Sequence, residues 1–361
     1  MRICTLNRQN INNQKAEIEF RKKIYLQQVE GKMIFDDEFN ANGIANILNE
    51  RMKKTFNQMT LLQEKGITLS PYIEIGAERC QRSLVMENDL MVNGASVDIS
   101  YDMLKSCDYY KDVFNKSKTP IRICCDANLL PFMTNSVPFV FCYETLHHFR
   151  EPAPITKEIY RVLSPGGCFF FDEEPFKKVL HINLYKGGKI YSKKSLTKSK
   201  IEKIFDYFFC AKSCNEIEHG IIENHDIPIR TWIQAVNVFD EKDVNLKIPS
   251  FSHVNLFNPN SYIKYFAAYL LGGGISGICK KTGNNVNKNA PIYYTLFCPS
   301  CREIACEVLL KRNNLSFYCP KCSKRYPVID GVIFLFSYSK FEELYPEIFS
   351  TFQKNTSHET E

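Results

Sequence analysis

Four cysteines are set apart by their spacing: Cys298-Pro-Ser-Cys301 and Cys319-Pro-Lys-Cys322, with seventeen residues between the pairs. Each C-x-x-C turn can aim two thiolates at one ion, and two such turns at this separation make a tetrahedral Cys4 zinc site. Four thiolates close the coordination shell, so the expected ion is structural rather than catalytic. Such an ion contributes ~10–16 kcal/mol to folding a unit too small for its own core. The segments EVLLKR and LSFYC between the pairs read as the strands of a ribbon. Cys306, outside the pairs, reads as a small buried hydrophobe.

A second set of residues is acidic. Glu74, Asp98, Asp126 and Glu144 follow one another at 24, 28 and 18 residues, each near the end of a short apolar run: YIEIGA (72–77), GASVDIS (94–100), IRICCDA (121–127) and FVFCYET (139–145). A fifth run, GCFFFDEE, covers 167–174. Continuous apolar runs separated by helix-like stretches are the pattern of a parallel sheet covered on both faces. In such a sheet ligands bind at the carboxyl ends of the strands. A carboxylate there, about 20 residues beyond a glycine turn, can grip a ribose diol through charge-assisted hydrogen bonds, and Asp98 has that spacing from Gly76.

The elements around these runs divide the chain. Residues 1–70 read as a helical cap, with Ile44, Ile47, Leu48, Met52, Phe56, Met59 and Leu62 recurring at helical spacing. Residues 71–281 hold the alternating strands and helices, with an acceptor-side segment at 175–250. The polar stretch KKTGNNVNKN (280–289) reads as a linker, 290–337 as the ribbon and 338–361 as a tail that is exposed after about Glu347. Between residues 175 and 250 two features are notable. Phe176–Lys212 holds ten lysines against Glu202 and Asp206, a solvated face or a phosphate-facing one. His219, Glu223, His225 and Asp226 form a polar cluster suited to acceptor recognition or to a solvated loop.

Composition narrows the class further. With 361 residues, 44% hydrophobic and 24% charged, the chain suits two globular domains and excludes a disordered or fibrous protein. A formal charge of +6 is mild for this length and does not by itself imply nucleic acid. The N-terminus has no apolar signal region, and no apolar run approaches the ~18 residues of a membrane span. Fifteen cysteines then read as thiols and metal ligands in a cytoplasmic protein.

In order and spacing, these runs resemble the class I S-adenosylmethionine-dependent methyltransferases, in particular the quinone-biosynthesis branch. YIEIGAERCQRS is similar to the first motif, VDIS to the ribose-binding acid, CCDANLLPFMTNSVPFVFCYETLHHF to the next two motifs, and EIYRVLSPGGCFFFDEE to the helix, turn and strand that follow. The resemblance implies a doubly wound, mostly parallel Rossmann-like sheet. It implies that Glu74 closes the first strand, that Gly76 lets the backbone approach the methionine moiety, and that Asp98, with Ile99 beside it, holds the ribose. Asp126 would accept from the adenine amino group, Ala127 would supply a backbone donor, and Glu144 and Leu146 would border cofactor and acceptor. His147 and His148 stand where a general base would be needed for a hydroxyl acceptor. One departure is plain: Glu78 and Cys80 occupy positions where the family has glycine, which would alter the loop or weaken cofactor binding. RYPVIDGVIFLF (325–336) resembles the end of the zinc ribbon of the small activator protein of tRNA and protein methyltransferases.

Three functional readings stay open on the sequence. The first is methyl transfer to a small-molecule, glycan or lipid-linked acceptor, with a structural zinc. The second is an RNA methyltransferase whose ribbon docks rRNA or tRNA, with Lys311, Arg312, Lys321, Lys324 and Arg325 near phosphate. The third is a non-catalytic scaffold in which Glu78 and Cys80 have disabled the pocket.

Overall fold

The computed structural model describes residues 2–32, 41–177, 227–248, 252–271, 273–284, 291–313 and 316–358. They fall into two compact units. One comprises Met1–Cys142, Pro154–Phe169 and Lys280–Glu361, and the other Tyr143–Ala153 and Phe170–Cys279.

The first unit begins with two long helices, α1 (Arg2–Gln28) and α2 (Ala41–Glu64). Ile18, Phe20, Ile24 and Tyr25 of α1 are buried, as are Ile44, Leu48, Met52, Met59 and Leu62 of α2. Ile47 and Phe56, expected on the same stripe of α2, stay exposed, because the buried face follows the 44-48-52-59-62 row and these two lie off it. After α2 come β1 (Tyr72–Ile75), α3 (Gln81–Asn88), β2 (Gly94–Asp98), α4 (Tyr101–Lys105), α5 (Cys107–Val113), β3 (Ile121–Cys124) and β4 (Val137–Tyr143). A further helix, α6 (Pro152–Val162), leads into β5 (Leu163–Pro175), which begins in this unit.

Strand order here is β5-β4-β1-β2-β3, with β1 parallel to both β2 and β4 and β2 parallel to β3. The chain builds outward from β1 to β3, then returns to the other side of β1 for β4. That reversal is the switch point of a doubly wound sheet, at the carboxyl end of β1. The strands are apolar throughout because both faces are covered, and every residue of β1 and β4 is buried. Close packing at the start of β2 requires glycine: a Cβ on Gly94 would sit 2.4 Å from the Tyr72 ring.

The ribbon joins this sheet. β12 (Val332–Phe334) pairs parallel with β3, Ile333 opposite Ile123, and covers what would be an open sheet edge. β11 (Arg325–Ile329) turns into β12 through Asp330 and Gly331, both with positive φ, and β10 (Ser316–Tyr318) and β9 (Lys311–Arg312) continue outward. The polar 280–289 stretch thus separates the ribbon in sequence, whereas its last strand belongs to the first unit's sheet. The described part of the tail forms two helices, Tyr338–Leu344 and Pro346–His358. Phe341, Leu344 and Tyr345 share one core with Ala77, Cys80, Leu84, Leu104 and Phe334, so an amphipathic pattern at the chain end packs rather than projects.

In the second unit, β6 (Glu241–Ile248) pairs antiparallel with β7 (Ser252–Asn255), and β8 (Gly274–Lys280) lies on the other side of β6. Trp232, fully buried on the Ile229–Val236 helix, lies parallel to Phe171 at 6.2 Å and donates from Nε1 to the Pro175 carbonyl at 3.0 Å. His219, Glu223, His225 and Asp226 lie outside the described residues, as does the Lys-rich stretch beyond Lys177. Among the described residues no helix is long and apolar enough to cross a membrane.

Candidate functional site

The loop after β1 carries the alternation of backbone conformation that glycines would otherwise provide. Gly76 (φ 68°), Glu78 (φ 45°) and Cys80 (φ 59°) are all left-handed, at alternate positions. A left-handed non-glycine residue costs about 1–3 kcal/mol and persists only where surrounding structure fixes it. Both are fixed here. Cys80 is fully buried in the core that α3 shares with the C-terminal helices. The Glu78 carboxylate is gripped by Arg21 Nη1 at 2.9 Å, Arg79 Nη1 at 3.2 Å and Arg51 Nη1 at 3.5 Å. Two of those guanidiniums come from α1 and α2, so the helical cap holds the loop in shape.

This turn places a backbone donor on the next strand end. The Glu78 N–H donates to Asp98 Oδ2 at 2.9 Å, and the Ser100 N–H donates to Oδ1 at 2.8 Å. Each carboxylate oxygen of Asp98 thereby takes one donor and keeps a lone pair, enough for the two hydroxyls of a ribose. Burial pushes the Asp98 carboxyl up to about 6, against the two backbone N–H bonds and Arg21.

Glu74 faces the interior. Its carboxylate, 2% exposed, accepts from the Ser83 N–H at 3.1 Å and from the Ser83 hydroxyl, which in turn accepts from Ser96 at 2.8 Å. Burial pushes it up to about 8. Its hydrogen bonds tie β1 to α3 beneath the loop. Asp126 follows β3 and is 5% exposed, next to Ala127, which opens a short 3-10 turn. Asp126 Oδ1 accepts from the Asn128 N–H at 2.9 Å and from its Nδ2 at 2.8 Å, and Oδ2 is paired with the Lys340 ammonium. Burial works to raise this carboxyl, but Lys340 and Asn128 outweigh it and hold it below the usual range. Ile99 is half-buried, and its carbonyl accepts from the Tyr345 hydroxyl at 2.6 Å.

The ladder brings these positions together. Gly76 and Ala77 donate to the Val97 carbonyl at 2.9 and 3.1 Å, Asp98 pairs with Cys124, and Cys125 donates to the Asp98 carbonyl at 3.0 Å. The ends of β1, β2 and β3, bearing Gly76, Asp98 and Asp126, are therefore adjacent.

The remaining residues lie in the second unit. Glu144 is exposed and left-handed, at φ 48°. Beside it the fully buried Glu174 forms the centre of a nest. Its Oε1 accepts from Thr145 N at 2.8 Å and Leu146 N at 2.9 Å, and its Oε2 from His147 N at 3.1 Å. The same Oε2 lies 2.9 Å from His147 Nδ1. His147 is 3% exposed, so its ring is fixed by Glu174 rather than swinging in solvent. His148 is half-buried, its ring centroid 4.3 Å from that of His147. Sequence reasoning singled out the histidines and missed Glu174; the available signal was a carboxylate closing the fifth apolar run. Asp172, also fully buried, is paired with Lys247.

Cys298, Cys301, Cys319 and Cys322 converge, their sulfurs all within 4.8 Å of one another. Cys298 and Cys322 are 3.6 Å apart and Cys301 and Cys319 3.7 Å. A tetrahedral ion with Zn–S bonds of ~2.3 Å has S···S edges of about 3.8 Å, so the donor set fits zinc. Backbone N–H groups of Cys301 and Cys322 point at the first sulfur of each pair, at 3.4 and 3.5 Å, and the Tyr326 hydroxyl lies 3.0 Å from Cys298 Sγ. Cys306, expected buried, is half-exposed, with the Lys321 ammonium 3.1 Å from its sulfur.

Residues 73–171 match the family model of a methyltransferase domain. An uncharacterized methyltransferase of Arabidopsis thaliana, described as chloroplastic, is 29% identical over 156 residues, covering 39% of this chain and 41% of that protein. The chain thus spans less than half the length of that curated relative. Among solved structures, a complex of the Haloferax volcanii Trm112 methyltransferase activator with a methyltransferase is similar at 16% identity and a TM-score of 0.38, covering 69% of this chain and all of that one. A Haemonchus contortus phosphoethanolamine N-methyltransferase bound to S-adenosyl-L-methionine is similar at 17% identity and a TM-score of 0.36, over 63% of this chain and 53% of that one. Residues 73–171 thus match a methyltransferase domain, and the strand order described above is that of a Rossmann-like sheet.

Proposed function

We propose that the chain transfers the methyl group of S-adenosylmethionine to a small-molecule, glycan or lipid-linked acceptor that must lose a proton. The observation that carries this reading is the loop from Gly76 to Cys80, which keeps a glycine-like backbone and aims the Glu78 N–H at Asp98. Gly76, Asp98, Ile99, Asp126 and Ala127 would hold the adenosyl moiety. The lone pairs left on Asp98 suit a ribose diol, and this fit argues against the disabled-scaffold reading. When bound, the sulfonium supplies its own leaving group, so the protein's task is chiefly alignment.

His147 and Glu174 support an acceptor with a dissociable proton. A carboxylate fixed by three backbone N–H groups holds the imidazole in one orientation and stabilises its protonated form, the arrangement a general base needs. His147 would take the proton and Glu174 would position it. The Cys4 cluster would hold a structural zinc, which fixes the ribbon whose last strand lies on β3.

The test is incubation of the full chain with methyl-labelled cofactor and a fractionated cell extract. Label should enter the small-molecule or lipid fraction, and do so far less with Asp98→Ala. Label found in RNA instead would establish the docking-ribbon alternative. No labelled product in any fraction would remove the activity.

A further inference from the structure

Asp126 and Lys340 are separated by 214 residues and meet as an ion pair. The lysine comes from the Tyr338–Leu344 helix, outside the methyltransferase domain, and its helix is firmly held. The Tyr345 hydroxyl accepts from the Tyr101 N–H at 3.0 Å and donates to the Ile99 carbonyl, bridging the turn that follows β2. Phe341 stacks on Phe334 of β12 with ring centroids 5.2 Å apart. Lys340, with its side chain 23% exposed, is therefore a positioned cation, not a surface lysine sampling solvent.

We infer that Lys340 is an affinity-setting residue of the adenosine site: its ammonium competes for the Asp126 oxygen that would receive the adenine amino group. The inference rests on the adenosine reading above. The acceptor sites of Asp126 argue for it. Oδ1 already takes two donors from Asn128, so the acceptor site left for a ligand is the second lone pair of Oδ2, the oxygen that also accepts from Lys340. A carboxylate neutralised by an adjacent ammonium is a weaker acceptor than a free one, since hydrogen bonds to a charged group are worth about twice those between neutral groups. Asn128 alone orients the carboxylate, so Lys340 is not needed for its position. On cofactor entry the amino group must then share Oδ2 with the ammonium, and the C-terminal helix keeps affinity lower than the pocket would otherwise give.

Calorimetric titration of S-adenosylhomocysteine into zinc-loaded full-length protein tests this with three side chains at 340. Lys340→Met should bind about tenfold more tightly than wild type, and Lys340→Arg should bind as wild type does. S-inosylhomocysteine, which lacks the amino donor, should show no gain with Lys340→Met. Unchanged or weaker S-adenosylhomocysteine binding by Lys340→Met, or an equal gain for both ligands, overturns the inference while leaving the adenosine reading intact. Should Lys340→Met fail to fold, Lys340→Leu, which also lacks a donor, carries the same expectation. Wild-type protein that binds neither ligand removes the adenosine reading itself.

Discussion

The backbone N–H of Glu78 donates to Oδ2 of Asp98 across 2.9 Å, from a residue held in a left-handed conformation. The strained loop and the acid that would grip the ribose are thus one device, held by guanidiniums from the helical cap.

Substitution at residue 78 separates strain from clamp. Glu78→Gly relieves the left-handed backbone but leaves Arg21, Arg51 and Arg79 without their shared carboxylate. Glu78→Ala loses the clamp and keeps the strain. Both should be less stable than wild type in urea titrations, and the glycine variant should exceed the alanine variant by ~1 kcal/mol. A glycine variant more stable than wild type would show that the clamp contributes less than the backbone strain costs.

Zinc loss should reach beyond the ribbon. Cys319→Ser is expected to lose the bound ion. Because β12 completes the edge of β3, and Phe334, Phe336 and Phe341 share a core with Leu84 and Leu104, thermal unfolding of the first unit should shift down as well. Metal content by mass spectrometry and a calorimetric scan check both. An unchanged transition for the sheet would make the ribbon an independent appendage.

Three buried acids give stability a defined pH dependence. Burial raises Glu74 to about 8, Glu87 to about 7 and Asp98 to about 6. A group raised on folding holds its proton in the native chain after the unfolded chain has released it. The stability it contributes is complete below the ordinary carboxylate value of ~4.3 and is lost as pH rises to the folded value. The urea midpoint should therefore fall from about pH 4.5 toward pH 8, and Glu74→Gln, which keeps an acceptor for Ser83, should flatten the upper part of that fall. A midpoint that rises across this window in wild type would contradict the assignment.

Glu174→Gln presents an amide to three backbone donors that now share a carboxylate. The His147 ring loses its fixed orientation, and turnover should drop by ~10²-fold or more, while S-adenosylhomocysteine affinity stays within about twofold. Equal losses in both would make the pair structural. Unchanged turnover would remove His147 from proton transfer.

What the sequence made legible follows from the range of each signal. Strand-end acids and C-x-x-C turns are local patterns, and the strand order, the adjacency of Gly76, Asp98 and Asp126, and the convergence of four sulfurs agree with them. The conformation of Glu78 was not legible, because residue preference argues against a left-handed glutamate and only Arg21 and Arg51, from distant helices, explain it. The pairing of β12 with β3 joins segments some 210 residues apart and has no local signature; the polar linker pointed the other way. Lys340 resembles any lysine on an amphipathic helix until its partner Asp126 is seen. Glu174 was missed because what sets it apart, the backbone N–H groups of Thr145, Leu146 and His147 converging on its carboxylate, comes from 27–29 residues away and has no local signature.

The most direct measurement is titration of S-adenosylhomocysteine into zinc-loaded wild-type protein and into Asp98→Ala. Saturable binding by wild type, weakened in the variant by ~1.5–3 kcal/mol, is the expected result. Equal dissociation constants for the two proteins, or no binding by the folded wild type, would contradict the placement of the adenosyl group at the adjoining ends of β1, β2 and β3.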